Sequence, residues 1–256
     1  VARLPLKREG APVARRRRRS LARHASMGKG SRSVERGALS RASHNGQTQL
    51  VLELITGGAD PNELDKQGVK PLHAACRRGH LPTARALLEA RADVNAKSRD
   101  GDITPLGLVA RQGRVDMVLL LLDSGADVDS RDCEAQTALL SAASEGWGDN
   151  EAVIRLLLAA GANVLSRDVN GVTPLMGAAR NGRRRRAPVV RALIEAGAHT
   201  RDGGGGSALR YASRNGDVET CELLLAAGVD RDARDDKVCV PRLSLSRDVA
   251  CPISTG

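Results

Sequence analysis

The sequence contains almost no aromatic residues, since Trp147 and Tyr211 are the only two and Phe is absent. An interior without large rings must be built from Leu, Ala, Val and Ile, and such small, uniform side chains suit a repeated packing unit. The same lack removes the stacking platforms on which proteins bind single-stranded nucleic acids.

Long apolar runs and cysteine pairs are also absent. No apolar run approaches the roughly 18 residues that a membrane-spanning helix needs, so we predict no membrane span. The five cysteines (Cys76, Cys133, Cys221, Cys239 and Cys251) are odd in number and contain no C-x-x-C pair, which argues against a disulfide framework or a zinc knuckle. We therefore expect an intracellular protein, cytoplasmic or nuclear.

Positive charge is concentrated at the amino-terminal end of the chain. Residues 1–35 contain 11 Lys and Arg against 2 Asp and Glu, whereas residues 36–256 contain 29 against 28. Because the body is nearly neutral, we expect no nucleic-acid binding through it, and such binding would have to come from the tail or from a local cluster.

A short pattern recurs six times along the body of the chain. The segment LELITGGAD at residues 52–60 is followed by ARALLEARAD, LLLLDSGAD, IRLLLAAGAN, VRALIEAGAH and CELLLAAGVD. Measured at the glycine near the end of each segment, or at Arg91 in its place, the spacings are 33, 34, 36, 36 and 31 residues. A regular period of this length indicates a repeat architecture.

A second block precedes each of these segments: KPLHAACRRGH, TPLGLVARQGR, TALLSAASEGW, TPLMGAARNGR, SALRYASRNGD and, more weakly, GALSRASHNGQ. A Thr or Ser caps a helix, Pro occupies its first turn, and Leu-x-x-Ala-Ala places small residues on one face. The helix ends at a glycine, namely Gly79, Gly113, Gly146, Gly182 or Gly216. A second, leucine-rich helix then ends at the next glycine, and Asp, Asn and Gly form a turn to the next unit.

The segments KPLHAACRRGHLPTARALLEARADVNA and TPLMGAARNG resemble ankyrin repeats. The resemblance covers residues 36–232 as about six units, of which the first is degenerate. It implies an all-α solenoid of antiparallel helix pairs with β-turn fingers, in which the fingers and inner helices form a protein-binding face. It implies no catalytic chemistry and no cofactor, and we expect a monomer.

The two ends of the chain lack this pattern. Residues 1–35 are expected to form a basic, disordered arm. The run Arg15–Arg19 is compatible with a nuclear localisation signal, a transit peptide or upstream sequence that is not translated, and the first methionine is Met27. Residues 233–256 read as a degenerate seventh repeat or a disordered tail, which is compatible with a fragment of a longer protein.

The resemblance also implies which residues contact the partner protein. They flank the turn glycines or directly precede the glycine that ends a first helix. These positions are Lys66, Gln67, Val69, Arg77, Arg78, Lys97, Arg99, Asp100, Arg111, Arg131, Cys133, Glu134, Gln136, Glu145, Arg167, Val169, Asn170, Val172 and Arg180. The third unit has one extra residue around Asp102 and Ile103, which shifts the assignment there.

The fourth and fifth units carry three extra residues each between their two helices. If neighbouring repeats stack about 10 Å apart, the two enlarged turns lie side by side. The arginines of the second turn then form either a solvated loop or, with Trp147, Asp149 and Glu151 opposite them, a secondary basic patch for an acidic partner. The members of this patch are Trp147, Arg183, Arg184, Arg185 and Arg186.

Several residues that suggest chemistry have a structural interpretation. His73 and Cys76 have a metal-like spacing, but no further ligand lies nearby, so we predict core positions and no metal site. Cys221 lies on an apolar stripe and is expected to be buried, whereas Cys133 is expected to be exposed. Arg91 stands where five units have glycine, and we predict a strained left-handed backbone there.

The sequence thus predicts a non-enzymatic scaffold or adaptor that binds a partner protein. Two alternatives remain open: a targeting or regulatory region of a larger enzyme or channel, and a nuclear nucleic-acid-associated factor that uses Arg15–Arg19 and Arg183–Arg186.

Overall fold

The computed structural model describes residues 37–99, 101–145, 150–181, 186–198 and 205–229. The chain divides into two units, Val1–Ser33 and Val34–Gly256, and all described residues belong to the second. The predicted arm at residues 1–35 and the predicted tail at 233–256 lie outside the described residues. Among the residues that are described, no helix has the length and apolar character needed to cross a bilayer.

The described residues form twelve helices and no strand. The helices are α1 Ala38–His44, α2 Thr48–Thr56, α3 Pro71–Arg78, α4 Leu81–Glu89, α5 Pro105–Arg111, α6 Val115–Asp123, α7 Ala138–Glu145, α8 Asn150–Ala159, α9 Pro174–Arg180, α10 Ala187–Glu195, α11 Gly205–Asn215 and α12 Val218–Ala226. They form six consecutive pairs, one for each predicted unit. The odd-numbered helices pack on one another as a first row, and the even-numbered helices pack as a second row.

Two first-row helices, α5 and α9, begin where the sequence places a threonine before a proline. The hydroxyls of Thr104 and Thr173 accept the backbone N–H of Gly107 and Met176, respectively, at 3.2 and 3.3 Å. Each cap satisfies one of the donors that a helix start leaves without an intrahelical partner. Helix α3 begins after Lys70, whose side chain makes no such bond.

The second-row helices end in the predicted left-handed turn. The glycines at this position have φ angles between 83° and 92°, and they are Gly58, Gly125, Gly161, Gly197 and Gly228. Arg91 occupies the same position with φ 66°, so the prediction of a left-handed backbone at a non-glycine residue is confirmed.

The core is a continuous layer of small aliphatic side chains between the two rows. The leucine that follows the first-turn proline or alanine is fully buried in the middle units, at Leu72, Leu106, Leu139 and Leu175. In the second row the fully buried leucines are Leu87, Leu121, Leu157, Leu193 and Leu224. Each unit buries its apolar face against its neighbours, as repeat proteins require.

Polar side chains link the segments that follow the first three second-row helices to the next unit. Asn62 accepts the backbone N–H of Asp93 at 2.8 Å and donates its amide to the carbonyl of Arg91 at 3.3 Å. Asn95 likewise accepts the backbone N–H of Asp127 and donates its amide to the carbonyl of Gly125. Asp129 accepts the backbone N–H of Asn163. These bonds fix the distance between consecutive units along this edge.

Candidate binding surface

The turn between two units is a short hairpin, the finger, and one carboxylate organises it. Asp65 accepts the backbone N–H groups of Gln67 and Val69 on the same oxygen, Oδ1, at 2.9 and 2.8 Å. Asp132 and Asp168 make the same pair of bonds in the fourth and fifth units. Each hairpin is closed by two backbone bonds: the N–H of the aspartate donates to the carbonyl of the last residue, and the N–H of the residue before the last donates to the carbonyl of the aspartate. The tip residues between them are therefore held in one conformation.

The finger of the third unit has a different construction because it contains the predicted extra residue. Ser98 replaces the aspartate, and its hydroxyl accepts the N–H of Ile103 at 3.1 Å. The hairpin closes with Gly101 at φ 82° and Asp102 at φ 55°, two consecutive left-handed residues. The insertion around Asp102 and Ile103 is thus confirmed.

Neighbouring fingers also bind one another. The N–H of Cys133 donates to the carbonyl of Gly101 at 3.1 Å, and the N–H of Val169 donates to the carbonyl of Glu134 at 3.0 Å. Lys97 adds a side-chain bond to the carbonyl of Arg131 at 2.9 Å. The fingers of units three to five therefore form one connected surface.

Most of the predicted contact residues are exposed, either on the fingers or at the carboxyl ends of first-row helices. The exposed ones are Lys66, Gln67, Arg77, Arg78, Lys97, Arg99, Arg111, Arg131, Cys133, Glu134, Glu145, Arg167, Val169, Asn170 and Arg180. Val69 and Gln136 are half-buried, and Asp100 lies outside the described residues. Val172 differs from the prediction of an accessible contact residue, because it is only 7% exposed at the base of its finger.

Sequence reasoning missed a second set of bonds at the ends of the first-row helices. The residue before the terminal glycine is Gln or Asn in several units, and its amide donates to a carbonyl at the end of the preceding first-row helix. Gln112 reaches the carbonyl of Arg77 at 3.2 Å, and Asn181 reaches that of Ser144 at 2.7 Å. Asn215 binds the carbonyls of both Ala179 and Arg180, at 3.0 and 3.1 Å. The recurring amide was the available signal, but its target depends on how the units stack.

His73 and Cys76 are buried in helix α3, as predicted. The His73 Nε2 atom lies 2.9 Å from the carbonyl oxygen of Ile103, so the ring connects its helix to the next finger. Burial lowers the pKa of His73 despite this hydrogen bond, and burial raises the pKa of the Cys76 thiol to about 12. A neutral ring and a protonated thiol are structural groups here. In the described part of the chain, no cluster of His, Cys, Asp or Glu could hold a metal.

The other two described cysteines also lie as predicted. Cys221 is buried in the second row, 3.6 Å from the hydroxyl of Ser213, and burial raises its pKa. Cys133 is exposed at a finger tip.

A small pocket opens between the fingers of the second and third units, with His73, Arg77 and Arg99 in its lining. Its volume is about 40 Å³. Pockets that hold a small-molecule ligand are typically on the order of 300 Å³ or more, so this pocket is a dimple in the surface.

Charge is divided between the two helix rows. The first row carries seven basic residues and one acidic residue, Glu145, and the basic ones are Arg41, Arg77, Arg78, Arg111, Arg180, Arg210 and Arg214. The second row carries three basic residues, Arg85, Arg155 and Arg191. Its eight acidic residues are Glu53, Glu89, Asp116, Asp123, Glu151, Glu195, Glu219 and Glu222. The near-neutral body thus has one basic row and one acidic row.

The proposed secondary patch is only partly within the described residues. Trp147 and Arg183–Arg185 lie outside them. Arg186 is 5% exposed and precedes the first residue of α10, which corrects its placement in an exposed basic cluster. Glu151 binds Arg155 of its own helix at 3.0 Å.

Comparison with known proteins agrees with this architecture. The family model described as ankyrin repeats (3 copies) matches residues 39–132 and 139–235. This chain belongs to the ankyrin-repeat family, and its all-helical fold is the solenoid that the sequence predicts.

Three relatives are similar over shorter stretches. Ankyrin repeat-containing protein P1E11.10 of Schizosaccharomyces pombe is 38% identical over 65 residues, which are 25% of this chain and 31% of that protein. Protein phosphatase 1 regulatory subunit 27 of Homo sapiens is 39% identical over 66 residues, 26% of this chain and 43% of that protein. Ankyrin repeat and SOCS box protein 16 of Homo sapiens is 36% identical over 113 residues, 44% of this chain and 25% of that protein. The chain therefore spans less than half the length of each of these relatives.

Proposed function

We propose that this chain is a non-enzymatic adaptor that holds a partner protein against its fingers and the ends of its first-row helices. Ankyrin repeats are protein-interaction domains, and the family assignment supports this class of function. The observation that carries the proposal is the connected finger surface, on which hydrogen bonds fix the backbone that carries the exposed side chains.

Rigid presentation matters because association costs side-chain and loop entropy at an interface. A finger whose backbone is already bonded at Asp65, Asp132 or Asp168 loses little further freedom when a partner binds. Most apolar side chains of the units lie in the core, although Val169 at a finger tip is 66% exposed. We therefore expect specificity to come mainly from the charged and polar tip residues.

The test is affinity capture with the full chain and two matched variants. The finger variant replaces Lys66, Arg131 and Glu134 by alanine, and the control replaces Arg85, Arg191 and Glu89, which are exposed on the second row. Both variants remove two basic residues and one acidic residue. We expect at least one protein to be retained by the unchanged chain and the control and lost by the finger variant, as quantified by mass spectrometry. Equal retention of every captured protein by both variants would contradict the proposal.

The printed name of one relative favours a more specific role. Protein phosphatase 1 regulatory subunit 27 is by its name a regulatory subunit of an enzyme, and this chain would act in the same way if it binds a phosphatase through its fingers. Finger-dependent capture of a protein phosphatase 1 catalytic subunit supports that role, and its absence from the captured proteins rejects it.

A further inference from the structure

We propose that the partner presents an extended acidic segment, which lies across a row of arginines at the carboxyl ends of the first-row helices. This inference rests on the proposed function and names the chemistry of its partner. The arginine row consists of Arg77, Arg111, Arg180 and Arg214, each two residues before the glycine that follows its helix.

The side chains of this row are available to a partner. All four are exposed. Within the described ranges, no carboxylate pairs with Arg77, Arg180 or Arg214. The side-chain amides of Gln112 and Asn215 donate hydrogen bonds to the backbone carbonyls of Arg77 and Arg180, respectively, and these bonds hold the ends of the two helices in place. The row therefore combines helix ends that are held in place with three guanidinium groups that, among the described residues, have no carboxylate partner.

One member of the row already binds a carboxylate. Arg111 lies 3.4 Å from Glu145, the single acidic residue of the described first-row helices. Both side chains are about half exposed, so the contact forms at the surface. It shows that a carboxylate beside the helix ends is within reach of a row arginine, with which it forms an exposed ion pair.

The spacing of the row fits an extended chain. Packed neighbouring helices lie about 8–10 Å apart, and a peptide in the extended polyproline II conformation rises about 3.1 Å per residue with three residues per turn, so that every third side chain points to the same side. A carboxylate at every third residue of such a peptide therefore meets successive units.

The fourth unit interrupts the row and so refines the expected segment. Ser144 stands where the second, third, fifth and sixth units have arginine, and it is 7% exposed. Glu145 follows it and repels a further negative charge. The segment should thus carry acidic residues on both sides of an uncharged central position.

The same interruption favours an acidic protein over a nucleic acid. A polyphosphate backbone is charged at every residue and would have to pass Glu145, whereas a peptide can place a neutral residue there. Tyr211 is the one aromatic residue in the described part of the chain, and the Arg210 guanidinium lies 5.7 Å from the centre of its ring. The described part of the surface therefore offers few aromatic side chains for the base stacking that supports the binding of single strands.

The probe is a fluorescent peptide in a Gly/Ser background with Asp at every third position except the central one. A second peptide of the same composition groups its Asp residues at one end. A single-stranded oligonucleotide of similar length serves as the nucleic-acid probe. The full chain is compared with an Arg77→Gln/Arg180→Gln variant and with a control, Arg85→Gln/Arg191→Gln, that has the same net charge.

We expect fluorescence anisotropy to show the spaced peptide binding at least about threefold more tightly than the grouped one. The Arg77→Gln/Arg180→Gln variant should weaken that binding about fivefold or more, while the control changes it less than twofold, because exposed charge contacts are each worth up to roughly fivefold. Absence of peptide binding, equal binding of the two peptides, or equal binding by the two variants would overturn the inference. Tighter, row-dependent binding of the oligonucleotide would overturn it as well.

These outcomes are separable from failure of the proposed function. If finger-dependent capture of a protein succeeds and the peptide result is negative, the adaptor function stands and the acidic segment is rejected. If the peptide binds through the row and capture is independent of the fingers, the arginine row remains a site and the finger surface is rejected.

Discussion

At the scale of single residues, the repeats serve as controls for one another. The turn after each second-row helix is built six times, five times with glycine and once with Arg91. A Cβ atom added at Gly58, Gly125, Gly161, Gly197 or Gly228 would meet no atom within 4 Å. The cost of a side chain at this position therefore comes from the left-handed backbone and not from a clash.

We predict that Arg91→Gly stabilises the protein by about 1 kcal/mol, because glycine adopts a positive φ without that cost. Urea unfolding should show a raised midpoint with an unchanged slope. The reverse change, Gly125→Ala, is the control and should lower the midpoint by a similar amount. An unchanged or lowered midpoint for Arg91→Gly would show that the arginine recovers the cost through contacts of its own.

Lys70 offers a second comparison at this scale, since Thr104 and Thr173 cap the equivalent helices. Lys70→Thr places a hydroxyl where it can accept the backbone N–H of His73, and we expect about 0.5–1 kcal/mol of added stability. Thr104→Ala should destabilise by about 1 kcal/mol. Both changes are measurable by thermal melting, and a lower melting temperature for Lys70→Thr would refute the cap.

At the scale of helices, two glycines inside first-row helices have different surroundings. A Cβ at Gly177 in α9 would lie 3.1 Å from the Cβ and 3.3 Å from the Cα of Ser144 in α7 and would overlap its hydroxyl. A Cβ at Gly107 in α5 would lie 3.5 Å from the Thr104 hydroxyl, an ordinary contact. Helices α7 and α9 thus approach one another closely through the missing side chain.

We expect opposite effects from the same substitution at these positions. Gly177→Ala should destabilise by about 1–3 kcal/mol through overpacking, and Gly107→Ala should stabilise by about 0.5–1 kcal/mol through helix propensity. Denaturant unfolding of the two variants measures both. Stabilisation by Gly177→Ala would show that the helices are not held this closely.

How much the sequence predicts follows from the range of the interactions involved. Caps, proline starts and glycine turns lie within a few residues of one another, so the helices and the position of Arg91 could be predicted. The hydrogen bond from the side-chain amide of Gln112 to the backbone carbonyl of Arg77 joins residues that are 35 apart in the sequence, and it depends on the stacking of units. The burial of Val172 and Arg186 likewise depends on neighbouring elements, so the exposure predicted for them was wrong.

At the scale of the whole molecule, the repeat arrangement predicts stability that differs between units. Each unit contacts its sequence neighbours, and the fingers that bind one another belong to units three to five. We expect native-state hydrogen exchange to show the strongest protection in these three units and weaker protection in the first and sixth. Uniform protection across residues 37–229 would indicate a single cooperative unit instead.

The division of charge also acts at this scale. A basic first row and an acidic second row give the nearly neutral body a preferred orientation towards a charged partner. Such complementarity chiefly affects the association rate and its salt dependence. If the partner is acidic, as we propose, the charge division favours its approach to the first-row side.

The central claim is that fingers and first-row helix ends form the binding face. Hydrogen exchange of the full chain, with and without the protein identified by finger-dependent capture, tests it most directly. We predict added protection at the finger hairpins 65–69, 98–103, 132–136 and 168–172 and at the carboxyl ends of the first-row helices. Added protection confined to the second-row helices would contradict the account.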